Sequence, residues 1–464
     1  MGVWGDSRRP TPLGSPGCGV RCRVRTTRSA GAPRTAGLVF TAAVVVYFAA
    51  VVHRTALGVA GVDAIDRFGL SATMLALFSV VQLTAYASMQ LPAGQLLDRF
   101  GARSVLVVGS LVMAAGQLLL ALSDQVGWAL VARVLIGAGD APIFIGACRL
   151  VAEWFPPRRI PVMVQTTGLI GQAGQLASAI PVAWLLHSQG WTVAFATLAG
   201  LGVVAASVAF VGIRSAPSSA SHVPERFLSA VRSAARPHGT RLGFWSHFLC
   251  PFSANVVALL WGVPFFVTAQ NRTPGEASLL LIVLTLSAMV TGPLAGQFTA
   301  RHPLRRTWAV LATAGATFVA WSVLLAFDTP RPLWQLLVFV VVLGAGAPIS
   351  LVGVDFARTS TPQERLGAAT GFVNMGGFTS TILGVLAVGL VLQLVSPPGA
   401  SIYTLDAYRV AFAVLLLPWL VGLAGVLHHR RRTRTELAAE GVQLRPVRDV
   451  LRWRRPSVVR PRVR

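Results

Sequence analysis

Four ionisable residues interrupt otherwise apolar stretches of this chain: His53, Arg54, Arg133 and Asp140. An ionisable group at the centre of a bilayer costs about 2.5–3.5 kcal/mol on insertion scales, so each marks a pathway or a buried pair. Arg133 and Asp140 stand seven residues apart in one helical stretch. That spacing puts them on one face, within about 20° of each other and ~10 Å apart along the axis. The gap is too long for a simple ion pair and leaves room for a guest carboxylate, or for Arg54. Two arginines against one ionised aspartate repel a cation and hold an organic anion. Burial favours the protonated form of Asp140 and a neighbouring guanidinium favours the ionised form. The group is therefore placed to exchange a proton as its surroundings change, and His53 is the second candidate carrier. The structural alternatives are an Arg54 that only pairs with Asp140 and a His53 that only satisfies a neighbouring carbonyl.

The elements that must position these residues follow from composition. The chain has 464 residues, 54% of them hydrophobic and only 12% charged, with a mean hydropathy of +0.65, against roughly 25% charged residues in soluble domains. Apolar stretches long enough to cross ~30 Å of hydrocarbon lie near 37–60, 72–96, 103–123, 127–152, 161–186, 192–213, 243–268, 276–299, 306–327, 333–356, 367–395 and 408–427. The eleven joints and two tails alternate in charge. Arginines crowd Arg8 to Arg34, Arg99 to Arg103, Arg158 and Arg159, Arg214 to Arg241, Arg301 to Arg306, Arg358 and Arg365, and Arg430 to Arg464, whereas the intervening joints are nearly neutral. The positive-inside rule makes the arginine-rich side cytoplasmic, with both termini on it. The expected location is a bacterial cytoplasmic (inner) membrane.

This placement accounts for most of the net charge of +24 without nucleic acid, since no aromatic-interleaved basic motif accompanies it. The basic tail can also press onto anionic membrane lipids. No lysine occurs and asparagine occurs only at Asn255, Asn271 and Asn374, a bias of GC-rich coding, so arginine position carries the information rather than arginine number. Cys18, Cys22, Cys148 and Cys250 show no metal-ligand spacing, and no phosphate-binding loop of the ATP-driven type is present. Neither metal nor cofactor is expected.

The long basic joint divides the spans six and six. The expected organisation is a disordered basic tail over 1–35, a six-helix bundle over 36–213, a cytoplasmic linker over 214–242, a second six-helix bundle over 243–428 and a basic tail over 429–464. Gly94, Arg99 and Arg103 recur at a constant offset as Gly296, Arg301 and Arg305, each after the second span of its half. Parallel repeats of this kind are a transporter architecture. Thr273-Pro274-Gly275-Glu276 and Thr361-Pro362-Gln363-Glu364 both carry a capping-box pattern that would open spans 8 and 11. His247 and Asp355 lie near span ends and read as boundary residues.

The joint Gly94-Gln95-Leu96-Leu97-Asp98-Arg99-Phe100-Gly101-Ala102-Arg103 resembles the loop 2–3 signature of the major facilitator superfamily, and Arg133-Val134-Leu135-Ile136-Gly137-Ala138-Gly139 resembles its span 4 signature. The resemblance implies an all-α membrane protein of twelve transmembrane helices in two pseudo-symmetric six-helix bundles. Read physically, Gly94 and Gly101 allow close approach and a tight turn, while Asp98 needs a partner on a positive face. The N-terminus of span 11 can supply one. Glu153 is a candidate partner for Arg103, with Arg149 one turn before it in competition. Together Gly94, Asp98, Arg99, Gly101, Arg103 and Glu153 form an expected conformational latch on the cytoplasmic side. Ala300 stands where the second half would repeat Asp98, so the latch is one-sided.

The runs His53 to Ala60, Phe68-Gly69-Leu70-Ser71 and Tyr86 to Gly94, with Gly139-Asp140-Ala141-Pro142 and Glu153-Trp154-Phe155-Pro156 in span 4, are similar to the anion:cation symporter family. That likeness implies proton-coupled movement of organic anions such as sugar acids, with Arg54 on the substrate carboxylate and Arg133 and Asp140 coupling substrate to proton. Tyr86, Gln172 or Gln175, and Asn374 are candidate hydrogen-bonding groups around the substrate. The family pattern has an acid where this chain has His53 and a tyrosine where it has Val51. Tyr47, on the same face as Arg54, can replace the missing ring. The expected function is a secondary active transporter, not an enzyme, acting as a monomer on a small anion and protons by alternating access. Two alternatives are a proton-driven exporter of drugs or other hydrophobic compounds and a non-transporting membrane sensor of the same fold.

Overall fold

The computed structural model describes residues 33–69, 72–214, 227–397, 403–439 and 441. Most of both expected tails, residues 215–226 of the linker, and Cys18 and Cys22 lie outside the described residues. Ten helical runs among those described are long and apolar enough to cross a membrane. One of them belongs to the helix Ala72–Leu122, which breaks at Gly101 (φ 76°, ψ 163°) and so crosses twice. Ile160–Ala177 continues through a π turn, Ser178–Val182, to a second break at Gly190 (φ 81°, ψ 176°) and adds the remaining crossing. Both breaks are at glycine because a positive φ is strained for any residue with a Cβ.

The result is twelve membrane-spanning helices in two six-helix bundles. Span 1 is Pro33–Val59, spans 2 and 3 are the arms of Ala72–Leu122, and span 4 is Val126–Trp154. Spans 5 and 6 are separated by Gly190, the latter ending at Gly212. Span 7 is His238–Ala269 and span 8 is Pro274–Arg301, followed by span 9 at Arg306–Leu325. Span 10 is Leu333–Ser360, span 11 is Leu366–Val395 and span 12 is Leu405–Ala439. The linker contributes a short helix, Phe227–Ala235.

Prolines explain the irregular stretches, since each removes a backbone donor and crowds the preceding turn. Span 7 carries Pro251 and Pro264 and contains two π turns, Val257–Trp261 and Phe265–Ala269. Span 10 tightens to a 3-10 turn at Ala347–Leu351, around Pro348. The capping box at Thr273 is fully formed, with Glu276 N donating to Thr273 Oγ1 and Thr273 N donating to Glu276 Oε2. Its expected copy at Thr361 is not. A 3-10 turn, Gln363–Arg365, intervenes, span 11 begins at Leu366, and the Thr361 hydroxyl lies 2.9 Å from that of Thr240 at the start of span 7. A tertiary partner has displaced the local one.

Each bundle has its own apolar core, the first around Val46, Tyr86, Leu106 and Ile145 and the second around Phe265, Leu284, Phe339 and Tyr408. The bundles touch through spans 2 and 11 and through span 5 against spans 8 and 10. Gln165 Nε2 donates to the Pro348 carbonyl at 2.7 Å, and a Cβ on Gly296 would lie 3.0 Å from Val162. These contacts gather between mid-membrane and the arginine-rich face. A central cavity lies between the two bundles.

Candidate functional site

The cavity, about 270 Å³, is lined by both bundles. The first contributes Tyr47, Arg54, Tyr86 and Gln172, and the second His247, Asn255 and Asn374. Arg54 is the one arginine among its lining residues. Its Nε donates to Asp140 Oδ2 at 2.6 Å and its Nη2 to Oδ1 at 3.0 Å, the two-pronged geometry that makes arginine–carboxylate pairs strong and directional. The Arg54 side chain is 20% exposed whereas that of Asp140 is 0% exposed. The guanidinium faces the cavity and the carboxylate stands behind it. A buried ion pair gains in Coulomb energy about what it loses in desolvation, so another carboxylate can replace Asp140 on Arg54 at modest cost once Asp140 is neutral.

Aromatic rings frame the guanidinium. Arg54 lies 4.7 Å from the centroid of the Tyr86 ring, a cation–π geometry, and Tyr86 packs on Phe378 of span 11 with centroids 4.4 Å apart. Asn374 Nδ2 donates to Gln90 Oε1 at 2.7 Å and to the Tyr86 hydroxyl at 3.3 Å, so both bundles share one polar network beside the cavity. Tyr47 packs on Phe144 and is pressed by span 5 at Gly171, where a Cβ would collide with its ring.

Of the four ionisable residues found in sequence only Arg54 lines the cavity; Asp140 reaches it through Arg54, whereas His53 and Arg133 do not. His53 is fully buried, its ring nitrogens have no hydrogen-bond partner among the described residues, and it faces span 6 at Gly202. Neighbours on a helix point about 100° apart, so directing Arg54 to the cavity turns His53 into the bundle. Its carbonyl accepts from Gln117 Nε2 at 3.2 Å. Arg133 is 2% exposed, its Nε and Nη1 have no partner among the described residues, and it is absent from the cavity wall. Asp140 is paired with Arg54 rather than with Arg133.

Sequence reasoning missed His247, read as a boundary residue. It is buried in the cavity wall, with Nδ1 3.0 Å from the Ser350 carbonyl. A carbonyl only accepts, so Nδ1 carries the proton and Nε2 is left to accept. The π turns of span 7 lie beyond it, and no local pattern announces its burial. Asp355 is also buried, 5% exposed, and is held by Arg306 and by Arg358 Nη2 at 2.6 Å.

At the arginine-rich end, Asp98 accepts from the backbone N–H groups of Gly367 and Ala368, each at 2.9 Å, across the bundle boundary. It sits at the N-terminus of span 11, where the helix dipole favours an anion. Arg149 pairs with Asp98 and, through Nε at 2.8 Å, with Glu153. Glu153 is therefore not paired with Arg103, which lies over the Phe210 ring at 4.4 Å. Arg149, one turn before Glu153, reaches it without crossing a helix boundary. Arg99 lies over its neighbour Phe100 at 5.1 Å. Gly94 meets the Gly367 backbone so closely that a Cβ could not be accommodated. In the second half, Arg306, Asp355 and Arg358 join spans 9 and 10 of one bundle only.

The probable galactarate/D-glucarate transporter GudP of Escherichia coli (strain K12) is 24% identical over 409 residues, covering 80% of this chain and 89% of that protein. A multidrug resistance protein B homolog of Mycobacterium tuberculosis is 23% identical over 436 residues, covering 88% and 76%. Among solved structures, the proton:xylose symporter XylE bound to 6-bromo-6-deoxy-D-glucose superposes with a TM-score of 0.63 at 14% identity, over 85% of this chain and 96% of that one. The family model described as Major Facilitator Superfamily matches residues 39–268 and 243–460. With two six-helix bundles closed around a central cavity, the chain belongs to the major facilitator superfamily.

Proposed function

We propose that this protein is a secondary active transporter of a small organic anion, working by alternating access and coupled to protons. The observation that carries the reading is the Arg54–Asp140 pair: a guanidinium exposed to the cavity, with a fully buried carboxylate behind it. A substrate carboxylate and Asp140 compete for the same donors. Protonating Asp140 releases Arg54 to the substrate, and losing the substrate returns Arg54 to an ionised Asp140. Proton and anion thus bind together and leave together. The arrangement is mechanically complete within the first bundle, and Asn374, His247 and Asn255 supply neutral polar contacts from the second.

The same geometry supports a monoanion over a dianion, because one arginine lines the cavity. The arginine-rich face is taken as cytoplasmic, with both termini on it. On this reading the contacts of Asp98 with Gly367 and Ala368 hold that face shut. Opening the inner face requires Asp98 to leave Gly367 and Ala368. Export of hydrophobic compounds is the second reading, favoured by the likeness to the multidrug resistance protein B homolog over 88% of the chain.

A thermal-shift screen of the purified protein against aldonates, aldarates, neutral sugars and lipophilic cations tests the assignment. Aldonates should stabilise it most, aldarates less, and Arg54→Ala should abolish both effects. Stabilisation by lipophilic cations that survives Arg54→Ala would select the exporter reading instead.

A further inference from the structure

The linker helix Phe227–Ala235 buries Ala234 against Ala357 of span 10 and Ala368, Ala369 and Val373 of span 11. Its end is fixed to span 7, since Arg241 Nε donates to the Ala235 carbonyl at 2.9 Å. Span 7 is fixed in turn to the joint before span 11 through the Thr240 and Thr361 hydroxyls. Where these elements meet span 12, at the arginine-rich end, they enclose an open cleft of about 600 Å³. Arg236, His238, Arg241, Arg365 and Glu436 line it. Three arginines from three different elements thus face one volume.

Among the described lining residues the acid, Glu436, is turned to the histidine. Glu436 Oε1 lies 3.9 Å from His238 Nε2, and His238 Nδ1 lies 3.0 Å from His429 Nδ1, a spacing at which the two rings share a proton. Basic groups from the linker, span 7 and the start of span 11 thus converge on one volume. The central site differs, because there a single arginine is matched by a single carboxylate. Several guanidinium forks around one space fit an anion with three or four acceptor oxygens better than a carboxylate with two. The cleft also lies at the arginine-rich end, and basic pockets on the cytoplasmic side of membrane proteins take phospholipid headgroups.

We infer that this cleft binds a phosphate-bearing anion, either the headgroup of an anionic phospholipid or a soluble phosphate ester. The site is distinct from the central cavity and does not depend on the transport reading.

The test uses the full chain in nanodiscs of phosphatidylcholine with or without phosphatidylglycerol, and in detergent with inorganic phosphate or glycerol 1-phosphate. Native mass spectrometry counts retained phosphatidylglycerol and thermal shift reads the soluble probes. The double variant Arg236→Gln/Arg241→Gln should lose affinity by about tenfold or more. The control Arg158→Gln/Arg159→Gln, which removes two exposed arginines from the same face, should bind as the wild type does. Arg236→Gln alone spares the Arg241 bond to Ala235 and should still weaken binding by about fivefold. Retained phosphatidylglycerol that falls only in the cleft variants assigns a lipid headgroup. Stabilisation by phosphate or glycerol 1-phosphate with the same variant pattern assigns a soluble ester. Equal losses in cleft and control variants, full binding by Arg236→Gln, or no binding of any probe would overturn the inference.

Discussion

Replacing Asp140 by asparagine removes the charge behind Arg54 and keeps the side-chain volume. In the wild-type protein both carboxylate oxygens hold the guanidinium, at 2.6 and 3.0 Å. With charge centres about 4 Å apart and an effective dielectric constant near 20, that attraction is roughly 4 kcal/mol. An incoming carboxylate that took Arg54 would leave Asp140 ionised and buried, which is costly. Uptake of one proton by Asp140 removes the cost, so more protons are bound in the substrate complex than in the free protein. Anion affinity should therefore rise as pH falls, by up to about tenfold per pH unit. In the Asp140→Asn protein the competitor is gone. If half the pair energy is recovered, affinity at about pH 8 should improve by roughly thirtyfold, or ~2 kcal/mol. It should also become flat with pH. Isothermal titration with an aldonate across about pH 5.5 to 8, on both proteins, reads these quantities. Parallel pH profiles in the two proteins would refute the competition between Asp140 and substrate.

Asp98→Asn weakens the two backbone hydrogen bonds that tie spans 2 and 11 and loses the pair with Arg149. At about 2 kcal/mol for charge-assisted bonds, opening of the arginine-rich face should be favoured roughly thirtyfold. Cys148 is buried in the interface just inside that latch. Its labelling by a thiol reagent, in a Cys18→Ser, Cys22→Ser and Cys250→Ser background, should accelerate, and an unchanged rate would rule out the latch. Tyr86→Phe keeps the ring beneath Arg54 and loses the hydroxyl that accepts from Asn374 at 3.3 Å, so anion affinity should fall by no more than about threefold. Tyr86→Ala also loses the cation–π contact and should cost about fivefold to thirtyfold. Equal losses in the same titration would show that the hydroxyl, not the ring, supports the site.

The architecture was legible because apolar runs and arginine placement are long-range averages that survive local error. The capping box at Thr273 was legible for the opposite reason, since all its partners lie within four residues. Its copy at Thr361 failed because Thr240, far away in sequence, competes for the same hydroxyl. Arg133 and Asp140 were found through helical spacing, and the gap between them allowed for Arg54. Spacing does not tell which guanidinium faces water, and the fold gives that role to Arg54 while burying Arg133. His53 could not share the cavity with its neighbour once Arg54 faced it. Arg149 and His247 were not legible as site residues. Arg149 reaches Asp98 over a separation of 51 residues, and His247 joins the cavity only because spans 7 and 10 pack together.

The most direct test of the central claim is uptake of a radiolabelled aldonate into proteoliposomes, with an imposed inward proton gradient and without one. The wild-type protein should concentrate the anion only when the gradient is present. Arg54→Ala should abolish uptake under both conditions, and Asp140→Asn should retain exchange of internal for external anion while losing the gradient-driven accumulation. Accumulation that persists undiminished in both variants would contradict the account.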